Sequence, residues 1–247
     1  MTETPTPPLQ TFRAKVSEHV LLAGKYQYIH FELLDPHRIQ FRAGQYLLLT
    51  VPGGAEKKSY SISSPPALDH AVEILVDISP HGDGSLYLAS LAPGDEVEFR
   101  APVGQFTITP LSKNQPPVEN ELVFVATGSG ISPIRSQILD LLETKNDSRP
   151  IRLHWGIRFI YDLFWEEDFR ELAENYPNFT FDIILSHPPD SWPLCRGHVT
   201  DCLKKHYQKF AATGFYLCGN KQMIEAVTSL LKFQAVPPER IHFEKFF

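Results

Sequence analysis

Three short stretches of the 247-residue chain hold residue types that could do chemistry at a spacing that matters. The first is Lys58-Ser59-Tyr60-Ser61, preceded by Arg42-Ala43-Gly44-Gln45-Tyr46. On one strand, Lys58 can neutralise a phosphate, Tyr60 can lie against a flat ring, and Ser61 can hydrogen-bond a ring nitrogen. The same alternation also fits a half-buried strand with Tyr60 in the core and Lys58 in water. The second is His81-Gly82-Asp83-Gly84-Ser85, a glycine turn ending in serine at a helix start. It reads as an anion cradle or as an ordinary helix cap with Ser85 as the cap. The third is Thr127-Gly128-Ser129-Gly130-Ile131-Ser132-Pro133. Apolar Leu122 to Ala126 precedes it and helically spaced apolar residues from Ile134 to Leu142 follow it. Strand, glycine turn and helix in that order gather backbone N–H groups and the positive end of a helix dipole at one point, which suits a pyrophosphate. Pro133 is tolerated in a first helical turn, where its missing N–H is an orphan anyway.

Two kinds of rhythm must position these residues. From Phe12 to Phe106 the chain reads as strands at Tyr26–Leu34, Tyr46–Val51, Tyr60–Ile62, Val72–Ile78 and Val97–Phe99, with turn-forming clusters between them and a short helix at Ser85–Leu91. Short strands so spaced predict a small antiparallel barrel. Pro110 to Glu119 is polar, proline-bearing and without period, and is the linker. Beyond it, apolar strands at Leu122–Ala126, Ile151–Trp155, Thr180–Leu185 and Gly214–Cys218 alternate with helices at Pro133–Glu143, Leu163–Glu174, Val199–Lys209 and Met223–Phe233, and Arg240–Phe243 adds a last strand. This is β-α repetition, hence a parallel sheet covered on both faces. The organisation is a lead-in over residues 1–9, a β domain over 10–109, a linker over 110–119 and an α/β domain over 120–247. Ligands of such open sheets sit beyond the carboxyl ends of the strands, where Thr127–Gly130, Gly156–Arg158, Ser186-His187 and Cys218-Gly219-Asn220 fall.

Composition narrows the function classes. A formal charge of −6 argues against a general nucleic-acid binder. The Thr/Pro-rich start lacks the apolar core of a secretory signal, and no apolar run is long enough to span a bilayer. Cys195, Cys202 and Cys218 form no C-x-x-C pair, so spacing predicts no disulfide framework, iron–sulfur centre or zinc site, and the expected compartment is the reducing cytoplasm. His30, His154, His187, His198, His206 and His242 are scattered, with no pair at helical ligand spacing near a third ligand, so no metal is expected. Glu166-Glu167-Asp168 with Glu171 reads as a solvated helix face, and Phe159–Trp165 as core.

Taken together, these stretches resemble the ferredoxin–NADP reductase-like family of flavin reductases. That family carries R-x-Y-S, then G-x-x-S, then G-T-G-x-x-P, then C-G-x-x-x-M and an acidic residue near an aromatic C-terminus. Here Lys58–Ser61, Gly82–Ser85, Thr127–Pro133, Cys218–Met223 and Glu244 with Phe246-Phe247 stand in that order, and the resemblance runs from about Phe12 to Phe247. It implies a six-stranded antiparallel Greek-key β-barrel that binds FAD, followed by a parallel-sheet α/β domain that binds NADPH or NADH. By resemblance, Lys58 and neighbouring Ser59 face a flavin phosphate, Tyr60 packs on the isoalloxazine, Ser61 contacts the ring near N5, and Val76 lines it with backbone groups. Gly82, Gly84 and Ser85 hold the FAD pyrophosphate. Thr127, Gly128, Gly130 and Pro133 line the nicotinamide dinucleotide, with Arg158 near its adenosine side and Cys218, Gly219 and Met223 beside the nicotinamide. Glu244 and a terminal aromatic, Phe246 or Phe247, lie near the flavin. Lys58 stands where the family has arginine, a point charge in place of a bidentate fork. Ser129 is a milder change. With no cysteine cluster in the chain, the resemblance is to the form without an iron–sulfur domain.

The implied function is an FAD-dependent NAD(P)H oxidoreductase. Hydride passes from nicotinamide to flavin N5 where the domains meet, Ser61, Cys218 and Glu244 attend the transfer, and electrons leave to an external acceptor such as ferredoxin, an oxygenase or another redox protein. Two alternatives stand beside it. One is a reductase of free flavin, motivated by Lys58. The other is a non-autonomous electron-transfer or nucleotide-sensing subunit.

Overall fold

The computed structural model describes residues 7–53, 57–79, 81–108, 119–207 and 212–245. Most of the linker expected at Pro110–Glu119 and the terminal Phe246 and Phe247 lie outside the described residues. The chain divides into two compact units, Met1–Ile108 with Arg135–Lys145, and Thr109–Ile134 with Asn146–Phe247.

The first unit carries β1 (Gln10–Leu22), β2 (Tyr26–Asp35), β3 (Tyr46–Leu49), β4 (Lys58–Ser61), β5 (Ala71–Asp77), α1 (Asp83–Ser90) and β6 (Glu96–Val103). The strands form one six-stranded antiparallel sheet in the order β4-β3-β6-β1-β2-β5. The expected barrel is present only as a rolled sheet: its two edge strands are joined by a single antiparallel bridge, Ile62 to Ile74, rather than by a continuous ladder. Inward residues at every second position, among them Phe12, Ile29, Phe31, Leu47 and Phe99, fill the core between the strands. Gly44 has φ +94°, and a Cβ there would stand 1.9 Å from the Phe106 carbonyl oxygen. Beside it, buried Gln45 accepts from the Arg42 amide at 2.7 Å and donates to the Gly104 carbonyl at 3.1 Å. The Arg42–Tyr46 stretch is therefore explained by loop closure into β3.

β1 is a strand the hydrophobic pattern does not reveal. Phe12, Ala14 and Val16 point inward, but a register shift between Val16 and Glu18 inverts the alternation half-way. A bulge does this by inserting one residue against its partner strand.

The second unit carries β7 (Glu121–Thr127), a 3₁₀ turn over Gly128–Gly130 and the start of α2 (Ile131–Leu139), whose residues from Arg135 onward, with a wide turn over Asp140–Thr144, count with the first unit; it then carries β8 (Ile151–Ile157), α3 (Glu166–Asn175) and β9 (Phe179–Leu185). It continues with β10 (Cys195–Arg196), α4 (Val199–His206), β11 (Thr213–Gly219), α5 (Lys221–Phe233) and β12 (Ile241–Lys245). Its sheet is parallel throughout, in the order β10-β9-β8-β7-β11-β12. β7 is buried at all five positions from Leu122 to Ala126, as a central strand covered on both faces must be. Helix α3 buries Phe169 and Leu172 and turns its acidic first turn outward, where Glu166 pairs with Arg170 at 2.8 Å. Of the ring-rich Phe159–Trp165 stretch, Phe164 is core against Trp155, whereas Tyr161 is exposed. No helix of the described residues is long and apolar enough to cross a membrane.

Candidate functional site

In the first unit the chemistry gathers at β4 and the start of α1. Alternation along β4 sends Lys58 and Tyr60 to one face, with Ser61 buried on the other. Tyr60 packs against the barrel core, and burial pushes its phenol up to about 12, so it stays neutral. Helix α1 starts from Gly82, which has no side chain to offer the orphan amides of the first turn. Ser85 is thus not the cap, the plainer of its two readings: it sits inside the first turn, and its hydroxyl donates to the Gly82 carbonyl at 2.8 Å. Gly84 is the contact that ties these pieces together. A Cβ there would lie 2.3 Å from the Tyr60 hydroxyl oxygen and 2.8 Å from Lys58 Cγ. A helix N-terminus with free amides, an aromatic ring and a cation therefore meet at one place. That is the donor set a dinucleotide's pyrophosphate and ring require. Val76, on β5, is buried opposite Gln27.

A buried polar network braces the same strands, and the sequence reading did not find it. Arg135 donates to Glu73 Oε2 at 2.9 Å and to the Ser63 carbonyl at 3.1 Å. Ser136 donates to the Ser64 carbonyl at 2.6 Å, and Gln137 to that of Phe106 at 2.6 Å. On the other side of Glu73 stands His30, Nδ1 to Oε1 3.6 Å. Burial alone would raise the Glu73 carboxyl, but His30, Arg135 and Tyr28 outweigh it and hold it at about 2. His30 is raised by its hydrogen bond to Glu73. Both charges were visible as anomalies: Glu73 interrupts the apolar run Ala71–Val76, and Arg135 is the one cation of α2.

In the second unit the site forms where β7 and β11 end side by side. The Gly128–Gly130 turn leads directly into α2, and Pro133 is buried in its first turn. Gly128 has φ +52°, and its carbonyl accepts from Trp155 Nε1 at 3.1 Å. A Cβ on Gly130 would stand 2.3 Å from the Cys218 carbonyl oxygen, so only glycine lets the turn lie on the end of β11. Gly219, at φ +144°, presses equally on Thr127. The Thr127 hydroxyl caps nothing on α2; it accepts from the Asn220 backbone amide at 3.2 Å and from Asn220 Nδ2 at 3.3 Å. Asn220 in turn caps α5 by accepting from the Met223 amide at 2.8 Å.

The remaining expected residues fall around this point. Cys218 is fully buried, and burial first, then the Glu244 charge, pushes its thiol well above the ordinary range. Glu244 is its register partner on β12. Met223 is buried in the sheet–helix core of this unit. Arg158 follows the end of β8, exposed, with its guanidinium 5.1 Å from the centre of the Phe159 ring. Trp155 is a site-forming residue the motifs did not single out, and Asn220, expected at the strand ends, had no role assigned. Phe246 and Phe247 lie outside the described residues.

Comparison with known proteins agrees with this geometry. Residues 13–108 match the oxidoreductase FAD-binding domain and residues 124–229 the oxidoreductase NAD-binding domain. The reductase component DmpP of phenol 2-monooxygenase from Pseudomonas sp. (strain CF600) is 34% identical over 244 residues, covering 97% of this chain and 67% of its own length. The chain belongs to the ferredoxin–NADP reductase-like family. Another relative of this flavoprotein reductase is the reductase subunit of an aromatic O-demethylase from Amycolatopsis sp. (strain ATCC 39116 / 75iv2), 33% identical over 98% of this chain and 71% of that one. The crystal structure of the Amycolatopsis cytochrome P450 reductase GcoB superposes with a TM-score of 0.87 at 30% identity, over 98% of this chain and 71% of that one. A Neisseria gonorrhoeae ferredoxin NADP+ reductase shares the fold, with a TM-score of 0.77 at 21% identity over 97% and 99% of the two chains. The reductase spans about two thirds of the length of several curated relatives, 67% in DmpP.

The residues present fit both groups this family binds, FAD and NAD(P)H. On the first unit, Gly84 leaves open the corner shared by Tyr60, Lys58 and the uncapped α1 amides. On the second, Gly128 and Gly130 bring an uncapped turn onto the end of β11. The chain is a flavoprotein NAD(P)H oxidoreductase of two dinucleotide-binding units.

Proposed function

We propose that this chain is the reductase of an oxygenase system, taking hydride from NADH or NADPH and delivering electrons to a separate redox protein. The observation that carries the reading is the near-complete match of the chain to reductase components of monooxygenases and of an aromatic O-demethylase. FAD, held by the Lys58–Ser61 strand and the α1 amides, would supply the hydride and electron chemistry. The chain's own residues bind, orient and exclude water. Lys58 offsets phosphate charge with Ser59 beside it, the neutral Tyr60 phenol presents a ring face, and Ser61 holds a hydroxyl for N5. Val76 lines the ring. Gly82, Gly84 and Ser85 offer first-turn amides to a pyrophosphate. On the second unit Thr127, Gly128, Gly130 and Pro133 shape the dinucleotide turn, and Arg158 stands for the adenosine side. Gly219 and Met223 fix the strand end that carries Cys218.

Burial keeps the Cys218 thiol protonated, so its part is to hold a proton as a neutral group, with Glu244 beside it as the charged partner. Phe246 or Phe247 is assigned to cover the flavin ring. Three cysteines without a disulfide and the use of NAD(P)H support a cytoplasmic setting. Lys58 in place of arginine favours one further reading, flavin as a diffusing substrate; co-elution of flavin with the protein at low concentration excludes it. The principal test is anaerobic. The flavin-loaded protein is mixed with each nicotinamide, then with candidate acceptors in the same cuvette. Bleaching of the flavin band followed by acceptor-dependent recovery is expected; no bleaching with either nicotinamide refutes the proposal.

A further inference from the structure

Far along the second unit's sheet from the β7–β11 turn, the edge strands carry a cluster that the redox chemistry does not use. Asp182 on β9, Cys195 on β10, and Cys202 and His206 on α4 each offer one donor atom, and the four atoms lie within 4.8 Å of one another. The elements explain the convergence. Cys202 and His206 are four apart on α4, one above the other on the same helix face. β10 pairs in parallel with β9, Cys195 opposite Ile184, which brings Cys195 alongside Asp182 two residues earlier on β9. The cysteine Sγ atoms are 2.7 Å apart, and His206 Nε2 is 3.8 Å from Asp182 Oδ1.

We infer that Asp182, Cys195, Cys202 and His206 form a structural zinc site that fastens β10 and α4 to the sheet. Two thiolates, an imidazole and a carboxylate are the donors a borderline-soft divalent ion selects, and four is the number a closed structural zinc takes. Tetrahedral zinc with Zn–S near 2.3 Å sets its two sulfurs about 3.8 Å apart, so the ion would part the cysteines by about 1 Å and draw the other donors inward. A disulfide would account for the two sulfurs alone, leaving Asp182 and His206 without a reason to converge. An outer partner is also in place. His154 Nδ1 lies 3.2 Å from Asp182 Oδ2, the carboxylate oxygen turned away from His206, and can orient that ligand. The ion has something to hold, because β10 is only two residues long. Binding releases the two thiol protons to solvent and involves no oxidation. It also requires His206 to carry its proton on Nδ1, so Arg152, 3.2 Å from that atom, must turn aside.

The test uses the full chain with its flavin, prepared with reduced thiols, stripped of metal and titrated with Zn²⁺ against a chromophoric chelator. Expected are one zinc per chain, a melting temperature that rises with Zn²⁺, and, with Co²⁺ instead, the visible absorption of a tetrahedral thiolate site beyond the flavin band. C195S and the surface variant H206Q should lose far more than the ~10–100-fold in affinity typical of an outer-shell change, and lose the melting shift. Both should still reduce ferricyanide at the wild-type rate. Absence of stoichiometric zinc in the reduced wild type, or unchanged zinc affinity in both variants, overturns the site. So does a Cys195–Cys202 disulfide that persists through reduction.

Discussion

Gly84→Ala separates the proposed cofactor role of this corner from a merely structural one, because the two readings predict opposite signs. Gly84 is the second residue of α1, with a backbone that alanine adopts readily. By helix propensity alone the change should stabilise the protein by about 0.5–1 kcal/mol. The added methyl, however, would arrive 2.3 Å from the Tyr60 hydroxyl and 2.8 Å from Lys58 Cγ. Ordinary contact is about 3.5 Å, so the Tyr60 tip must withdraw by about 1 Å and the Lys58 stem by somewhat less. Overpacking of this kind costs about 1–3 kcal/mol, and a shift of that size in groups that hold a ligand costs on the order of 10–100-fold in affinity. The assay is titration of the apoprotein with FAD, followed by flavin fluorescence, alongside a thermal melt without FAD. FAD affinity is expected to fall roughly 10–100-fold while the apoprotein melts within a few degrees of wild type. Unchanged FAD affinity with a raised melting temperature would refute the assignment of Tyr60 and Lys58 to the flavin.

Four further outcomes follow from the same geometry. Lys58→Arg should tighten FAD by about tenfold, since a guanidinium fork makes two parallel bonds to phosphate, and equilibrium dialysis reads this directly. Gly130→Ala, whose methyl would meet the Cys218 carbonyl oxygen at 2.3 Å, should raise the KM for NADH and NADPH at least about tenfold with FAD still bound, as steady-state kinetics will record. Glu73 has its carboxyl held at about 2 against an ordinary 4.5, so its contribution, about 3 kcal/mol, is complete above pH 4.5 and lost as pH falls through 2. Urea midpoints for Glu73→Gln between pH 5 and about 2 should therefore show a flatter acid limb than wild type. His30, raised by Glu73, acts in the opposite sense: its share is complete below 6.5 and lost as pH rises through its folded value, so His30→Gln should be less pH-sensitive on the neutral side.

The legible parts of this chain were those in which local pattern and burial coincide. β7 and β11 read as nearly unbroken apolar runs because a central parallel strand is buried on both faces, and β8 and β9 remained legible although Arg152, His154, Thr180 and Asp182 interrupt them. The glycine motifs were readable because close approach permits no other residue, as Gly84 and Gly130 show. β1 escaped because its bulge at Val16–Glu18 inverts the pattern, and β10 because two residues carry no period. Glu73 with Arg135 is a contact across 62 positions, which spacing cannot announce. Cys202 and His206 share a helix face but not a residue type, so no histidine pair marks them.

The seclusion of Cys218 carries a consequence for durability. Reduced flavins leak peroxide in air, and peroxide attacks the ionised sulfur, not the protonated one. A sulfur with no exposed surface and its acidity suppressed resists such an oxidant without being consumed. Tolerance of such an oxidant is thus built into the second unit's sheet at Cys218.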